Sequence, residues 1–218
     1  MILGRRLFLR YAGYTAASAT LLVTACSKDE MATALTPQAV DLGTGDVGVL
    51  NYAYALEQLE AAFYSQVIAT PYSGMSADEM TILTEIRDHE IIHRDFFKAA
   101  IGTAAITGLT PNFAAINFND RNSVLTTART FEDLGVAAYN GAGKLIKDVN
   151  YLLLAGKIVS VEARHAAIIR DLLSPKTAAF AGDDVITPAS GLDRALLPSA
   201  VLAAAQPFVQ NRITANLG

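Results

Sequence analysis

The sequence has little of what a disulfide-stabilised or nucleic-acid-binding protein needs. It contains a single cysteine, Cys26, in 218 residues, which excludes a disulfide scaffold. Three of its 17 basic side chains, those of Arg5, Arg6 and Arg10, precede Cys26, leaving 14 basic against 21 acidic side chains in the rest of the chain. An acidic body without a basic cluster predicts no nucleic-acid partner. Hydrophobic residues make up 52% of the chain, which is too many for a disordered protein.

The first 26 residues have the layout of an export signal. Arg5 and Arg6 come before an uncharged stretch, residues 11–25, that is too short to cross a bilayer as a helix. We therefore predict a signal peptide over residues 1–25, and the paired arginines resemble a twin-arginine export signal. The alternative is a short buried N-terminal helix with a free thiol.

The end of this signal, Val23-Thr24-Ala25-Cys26, resembles the lipobox of bacterial lipoproteins. The resemblance implies that Cys26 carries a lipid and becomes the first residue of the mature chain. Residues 26–45, which are rich in small and polar side chains, would then form a tether. We expect an exported protein, periplasmic or on the cell surface, that is held to a membrane through the lipid on Cys26.

The pattern of residues 46–173 is that of four long helices, over residues 46–68, 77–101, 123–146 and 150–173. The second helix begins at the capping box Ser76-Ala77-Asp78-Glu79, and the fourth ends before Ser174-Pro175. About twenty residues separate the second helix from the third, which favours a crossover along a bundle over a tight turn. The sequence therefore predicts an all-α, ferritin-like four-helix bundle with a long crossover between helices 2 and 3, followed by a C-terminal extension over residues 174–218.

The inward-facing stripes of the second and fourth helices are apolar except at their middle. There the sequence places Glu90 with His93, and Glu162 with His165. A spacing of three residues puts both side chains of a pair on one face of a helix, about one turn apart. The chain has only three histidines, and two of them following a glutamate by three residues is improbable by chance.

The first and third helices carry one glutamate in mid-stripe and a tyrosine seven residues later. These residues are Glu57 with Tyr64, and Glu132 with Tyr139. At about 1.5 Å rise per residue, the glutamates of each hairpin lie at matching heights. Four buried carboxylates repel one another, so a purely hydrogen-bonded polar network is a costly alternative. Two divalent cations would neutralise the four carboxylates and use the two imidazoles as neutral ligands, and we therefore expect a dinuclear metal site.

Local sequence resembles one known group. The strings LNYA at residues 50–53 and LEQLEAAFY at residues 56–64 are similar to the bacterial exported ferritin-like domain group, within the ferritin-like superfamily of di-metal carboxylate proteins. The resemblance implies that Glu90 and Glu162 bridge both metal ions. It also implies that Glu57 and His93 complete one ion, Glu132 and His165 complete the other, and Tyr64 and Tyr139 act as catalytic-site residues that hydrogen-bond ligand carboxylates. For the two tyrosines, an ordinary place in the apolar core is the alternative.

Glu60 is a further acidic residue on the inward stripe of the first helix, and its counterpart in the second hairpin is Gly135. A small residue opposite an extra carboxylate indicates space made for it, and Glu60 resembles the extra carboxylate of rubrerythrins. We include Glu60 in the metal site, as an additional or alternative ligand or as a proton relay. A neutralised, peripheral side chain is the alternative.

The residues before Glu90 and Glu162 depart from the pattern of the group. Several relatives have an acid at this position that orients a histidine across the bundle. Here the two positions hold His89 and Val161. The resemblance therefore leaves the orientation of the two ligand histidines unexplained.

The expected cofactor is a pair of metal ions. Carboxylate-rich ligation with two imidazoles suits iron, our first choice, or manganese better than zinc or copper. The implied chemistry is a redox reaction with dioxygen or hydrogen peroxide, either ferrous oxidation or peroxide removal, and the sequence does not choose between them. The alternative is a non-catalytic metal-binding or structural bundle in stress or desiccation resistance. A homodimer is compatible with the sequence, whereas the tether and the C-terminal extension do not suit the compact subunit of a storage cage.

Overall fold

Four long helices dominate this computed structural model, which describes residues 39–217. Their bounds are α1 (Gly45–Ala69), α2 (Ala77–Ile101), α3 (Arg121–Ala142) and α4 (Val149–Leu173). α1 packs against α2, and α3 packs against α4, so the predicted all-α four-helix bundle is confirmed. Within residues 39–217, no helix combines the length and the hydrophobicity of a membrane-spanning segment. The predicted signal peptide and Cys26 lie outside the described residues.

The capping box predicted from the sequence starts α2. The Ser76 hydroxyl accepts a hydrogen bond from the Glu79 backbone amide at 3.1 Å, and the Ser76 amide donates to the Glu79 carboxylate at 3.0 Å. Glu79 also pairs with Arg121 at 2.6 Å, and Arg121 donates to the Leu172 carbonyl at 2.8 Å. The beginnings of α2 and α3 and the end of α4 are therefore joined at one end of the bundle.

α3 ends at Ala142, four residues earlier than the sequence predicts. A short 3-10 turn follows over Gly143–Leu145, and Ile146 is extended. Glycine disfavours a helix by about 1 kcal/mol relative to alanine, which weakens the end of α3. The early end also lets the Lys147 and Asp148 amides donate to the Asp46 carboxylate, at 2.8 Å each, beside the start of α1.

The connection from α2 to α3 follows α1, as expected of a long crossover. The Asn51 side chain donates to the Ala104 carbonyl and accepts from the Ile106 amide, both at 3.0 Å. Further along, the Leu109 amide donates to the Gln58 side chain at 2.8 Å. These bonds satisfy backbone groups that a loop against an apolar helix would otherwise leave without partners.

An aromatic cluster holds the crossover to the bundle core. The Phe63 ring of α1 is fully buried, with its centroid 6.0 Å from Phe113 and 5.9 Å from Phe118 of the crossover. On its other side it lies edge-on to Phe131 of α3, at 5.1 Å. Burial of these rings gives the crossover a fixed path over α1 and α3.

The C-terminal extension is folded against the bundle. β4 (Ile213–Thr214) pairs in parallel with β1 (Val40–Asp41), and β2 (Ile186–Thr187) forms a hairpin with β3 (Leu192–Asp193). The short helix α5 (Pro198–Ala205) lies on α3. The extension therefore contributes to the same core as the four long helices.

Gly141 allows this close packing on α3. A side-chain carbon at Gly141 would lie 1.7 Å from the Leu196 carbonyl oxygen. Nearby, the Leu196 amide donates to the Ala137 carbonyl at 3.0 Å. Only a residue without a side chain lets the extension approach the helix this closely.

Arg170 of α4 ties the extension to α3. The residue is 5% exposed, and its guanidinium forms two hydrogen bonds with the Asp133 carboxylate of α3, both at 2.7 Å. It also donates to Asp184 at 3.0 and 2.7 Å, and to the Ala179 carbonyl at 3.0 Å. These bonds raise the pKa of Arg170 above its ordinary value and lower that of Asp184. One buried cation thus joins two helices and the C-terminal extension.

We expect Arg170→Ala to lower the free energy of unfolding by about 2–4 kcal/mol, because a buried multidentate ion pair is broken. Urea unfolding of the two proteins measures the difference. Arg164→Ala is the control on the same helix, since Arg164 is exposed and its loss should cost under about 0.5 kcal/mol. Equal losses for the two variants would contradict the structural role of Arg170.

Candidate metal centre

Six side chains from all four helices converge at mid-height inside the bundle. The four glutamates have 0% exposure, while His93 is 9% and His165 is 4% exposed. In two overlapping groups, one ligand atom from each member lies within 4.8 Å of all the others. The groups are Glu57, Glu90, His93 and Glu162, and Glu90, Glu132, Glu162 and His165.

In the first group the carboxylates surround Nδ1 of His93. This nitrogen lies 2.9 Å from Oε1 of Glu162, 3.5 Å from Oε2 of Glu57 and 3.7 Å from Oε2 of Glu90. Glu57 comes from α1, Glu90 from α2 and Glu162 from α4, so three helices meet around one imidazole.

The second group repeats this arrangement around Nδ1 of His165. The nitrogen lies 2.8 Å from Oε1 of Glu90, 3.5 Å from Oε2 of Glu132 and 3.6 Å from Oε2 of Glu162. Glu90 and Glu162 belong to both groups, and each offers one oxygen to each histidine. This placement is what the predicted bridging roles of Glu90 and Glu162 require.

The hydrogen bonding of the converging atoms tests whether these residues fit a pair of cations. Eight buried atoms of the cluster have no hydrogen-bond partner of acceptable geometry within the described residues, although the closest pairs are under 3 Å apart. They are Oε2 of Glu57, both carboxylate oxygens of Glu90 and Glu162, Oε2 of Glu132, and Nδ1 of both histidines. Buried polar atoms without well-aligned hydrogen bonds are costly, so eight of them in two overlapping groups fit metal ligands better than a structural network.

The two tyrosines hold the outer oxygens of Glu57 and Glu132, each across the bundle. These two glutamates each belong to only one group and are called the terminal glutamates below. Tyr64 of α1 donates to Oε1 of Glu132 on α3 at 2.5 Å, and Tyr139 of α3 donates to Oε1 of Glu57 on α1. Each terminal carboxylate thus has one oxygen fixed by a tyrosine and one oxygen facing the centre. The hydrogen bonds expected of Tyr64 and Tyr139 are therefore present, while the role of Glu57 and Glu132 as metal ligands stays a prediction.

Burial and mutual repulsion make negative charge expensive at the terminal glutamates. Burial, and then the charge of Glu162, raise the pKa of Glu57 well above its ordinary value. Burial also raises the pKa of Glu132 to about 8, although His165 acts in the opposite direction. Carboxylates in this position need positive charge beside them in order to be ionised at neutral pH.

The carboxylates that repel one another stabilise positive charge on the two histidines. Burial alone would lower the pKa of His93 and of His165, but the carboxylates around each ring raise both to about 12. For Glu90, burial acts upward, and the imidazoles of His165 and His93 outweigh it and lower the pKa to about 2. The centre therefore attracts positive charge strongly, whether protons or metal cations supply it.

Glu60 lies beside the centre and outside the two ligand groups. It is 4% exposed, and burial followed by the charges of Glu90 and Glu162 raises its pKa well above the ordinary value. A side-chain carbon at Gly135 would come within 3.2 Å of Oε1 of Glu60 and 3.9 Å of Oε2 of Glu162. The absence of a side chain at Gly135 thus leaves room for Glu60, as the sequence comparison of the two hairpins indicated.

His89 is the residue of the centre that sequence reasoning did not assign. Its Nδ1 lies 2.9 Å from Nε2 of His165, and the two rings stack with centroids 5.2 Å apart and an angle of 12°. His89 therefore orients His165 across the bundle. Val161, at the equivalent position of the second hairpin, has no polar group to orient His93. In the sequence, the histidine at position 89 in place of the group's acid was the available signal, but it did not identify His165 as the partner.

Comparison with known proteins adds one match. A protein-family model described as a ferritin-like domain matches residues 45–175, which include α1 to α4 and every member of the two ligand groups. A search of curated proteins found no match.

We expect Tyr139→Phe to lower the free energy of unfolding of chelator-treated protein by about 1–2 kcal/mol, because a buried oxygen of Glu57 loses its donor. Tyr52→Phe is a matched control, since the Tyr52 hydroxyl is buried without a partner in the described part of the chain. Removal of the Tyr52 hydroxyl should leave the free energy of unfolding unchanged or raise it. Chemical denaturation measures both values, and a loss in Tyr52→Phe as large as that in Tyr139→Phe would contradict the prediction.

Proposed function

Because the chain belongs to the ferritin-like domain family, we propose that its buried cluster binds two metal ions and that the bound pair takes part in redox chemistry with dioxygen or hydrogen peroxide. Glu90 and Glu162 are proposed as the bridging ligands. The terminal ligands on either side are Glu57 with His93, and Glu132 with His165.

One observation supports this proposal most: eight buried oxygen and nitrogen atoms, none with a hydrogen bond of acceptable geometry in the described residues, converge in two groups that share Glu90 and Glu162. Two divalent cations bring four positive charges to four carboxylates. A structural network would give each of these atoms a well-aligned hydrogen bond, whereas here only the two closest nitrogen–oxygen pairs approach within 3 Å. The symmetry of the distances around His93 and His165 supports two ions of similar coordination.

The donor set favours iron, with manganese as the alternative, because hard carboxylate oxygens outnumber the imidazole nitrogens. When bound, such a pair supplies one electron per ion, enough to reduce dioxygen to hydrogen peroxide, or hydrogen peroxide to two waters, with two protons taken up in either case. The protein's part is to hold the ligands in place and to keep bulk water away from the centre.

The residues around the ligands have separate tasks in this proposal. Tyr64 and Tyr139 fix the outer oxygens of Glu132 and Glu57, so that the inner oxygens point at the metal positions. Glu60 supplies a fifth buried carboxyl group close to the centre. Its raised pKa suits a group that carries a proton, and its position suits an additional ligand, so both roles remain in the proposal.

Export is a separate part of the proposal. The lipobox-like ending at Cys26, the arginine pair and the uncharged stretch between them support an exported lipoprotein, periplasmic or on the cell surface.

In a bacterial host, Cys26→Ser should move the protein from the membrane fraction to the soluble fraction, because the lipid attachment atom is lost. Fractionation with immunodetection measures this shift. An unchanged distribution would contradict lipidation at Cys26.

Metal stoichiometry tests the ligand assignment. We expect about two ions per chain in the native protein, none in Glu90→Ala, and about one in His93→Ala, because Glu90 serves both positions and His93 serves one. Glu90→Gln provides a variant of the same shape if the alanine variant is unstable. The control is Glu85→Ala on the exposed face of α2, which should keep two ions. Two ions retained in both Glu90 variants would rule out the bridging assignment.

Redox function is tested by loading the protein with ferrous iron without oxygen and then adding dioxygen or hydrogen peroxide. Faster loss of ferrous iron than in Glu90→Gln, with two iron ions oxidised per oxidant molecule, is the expected result. The metal content of protein purified without chelators also addresses the non-catalytic alternative, because a protein without metal would favour a structural role. A protein that binds two ions but oxidises iron no faster than free solution would support a metal-binding or structural role in stress resistance.

A further inference from the structure

An apolar cavity lies directly beside the metal centre, toward the end of the bundle where α1 begins and α2 ends. Its volume is about 30 Å³, and it lies between all four long helices. Its wall includes Leu50, Ala53, Phe97, Tyr139, Ala142 and Ala155. Ala53 comes one helical turn before Glu57, and Phe97 comes one turn after His93. The cavity is therefore about 6 Å along the bundle axis from those ligands.

Tyr139 joins the cavity to the metal centre. Its ring is part of the cavity wall, and its hydroxyl donates to Oε1 of Glu57. The Phe97 ring lies 6.4 Å from the Tyr139 ring, centroid to centroid. Between the cavity and the first ligand group there is thus a partition of aromatic side chains, which can be passed by side-chain motion without unfolding of a helix.

The cavity also reaches the surface. Phe96, which is 38% exposed, and Ala100, which is exposed, both belong to its wall on α2. On α4 the wall contains Tyr151 and Ala155, which are half-buried. A small molecule can therefore enter from solvent beside α2 and come within one helical turn of the ligands.

The chemistry of the wall selects what enters. Nearly all of its surface comes from carbon atoms. Of the three tyrosines in its wall, Tyr139 has its hydroxyl committed to Glu57, and the hydroxyls of Tyr52 and Tyr151 add little polar surface. Hydrogen peroxide and water lose hydrogen bonds on entering such a cavity, at a cost of about 1–3 kcal/mol per polar group. Dioxygen forms no strong hydrogen bonds with water and loses none. A cavity of this size holds one or two small molecules and is too small for an aliphatic chain.

We propose that this cavity is the access and holding site for dioxygen, so that the redox reaction of the proposed function uses dioxygen and not hydrogen peroxide. The inference rests on that function and names its oxidant. In the reaction, dioxygen takes one electron from each of two ferrous ions and two protons from solvent, which gives two ferric ions and hydrogen peroxide.

Xenon tests the cavity independently of metal binding and of activity, because it is an apolar atom of similar size that enters apolar cavities. Xenon-129 NMR should detect binding to the full chain with or without metal. Ala155→Leu fills part of the cavity and should weaken xenon binding by about tenfold or more. Ala167→Leu is the matched control on α4, since Ala167 is half-buried outside the cavity wall, and it should leave xenon binding unchanged.

Kinetics complete the test. In iron-loaded protein, Ala155→Leu should slow ferrous oxidation by dioxygen by about fivefold or more and change oxidation by hydrogen peroxide less than about twofold. The number of iron ions per chain should stay at the native value. If Ala155→Leu does not fold, Ala100→Leu, which narrows the opening from an exposed position, replaces it with the same expected results.

The outcomes separate the two proposals. Absence of xenon binding in the native protein, or equal slowing of both oxidants in the cavity variants, overturns the cavity proposal while leaving the metal site intact. A native protein that binds no metal, or that oxidises iron with neither oxidant, overturns the proposed function and with it the assignment of dioxygen to the cavity. Native oxidation by hydrogen peroxide alone overturns the choice of oxidant.

Discussion

Negative charge confined inside the bundle is the constraint on which the rest of this structure depends. One glutamate from each long helix lies fully buried at the same height, where water cannot stabilise its charge. His93 and His165 are the only basic side chains inside the two ligand groups. Carboxylates that stay ionised there need positive charge beside them, and the two imidazoles bring at most two positive charges to four carboxylates.

The two halves of the centre are related but not identical. Around His93 and His165 the distances to the carboxylates agree within 0.1 Å in each corresponding pair. The differences lie one layer out, where His89 contacts His165 and nothing polar replaces it at Val161. Glu60 likewise has Gly135 as its counterpart, so an additional carboxyl group is present in one hairpin only. The two ligand groups therefore have similar members and unequal neighbours, and ions bound in them would differ in affinity.

Local sequence pattern predicted the features that depend on one helix at a time. The capping box at Ser76, the Glu-x-x-His pairs and the seven-residue spacing of glutamate and tyrosine all follow from helix periodicity. The contact between His89 and His165 depends on how α2 is rotated against α4, which no single helix reveals. The C-terminal extension lacks a periodic pattern, and its path depends on contacts such as the Leu196 amide with Ala137. The predicted end of α3 was four residues too late. Gly143 weakens the helix at that point, and the Asp46 carboxylate accepts hydrogen bonds from the Lys147 and Asp148 amides.

The tyrosines give the bundle a property that its helices alone would not have. Tyr64 in the first hairpin serves Glu132 in the second, and Tyr139 in the second serves Glu57 in the first. Each hairpin therefore contains the carboxylate of one half-site and the hydroxyl that belongs to the other. Were the chain cleaved within the crossover, neither fragment would carry an assembled half-site, and metal uptake would report complementation of the two fragments.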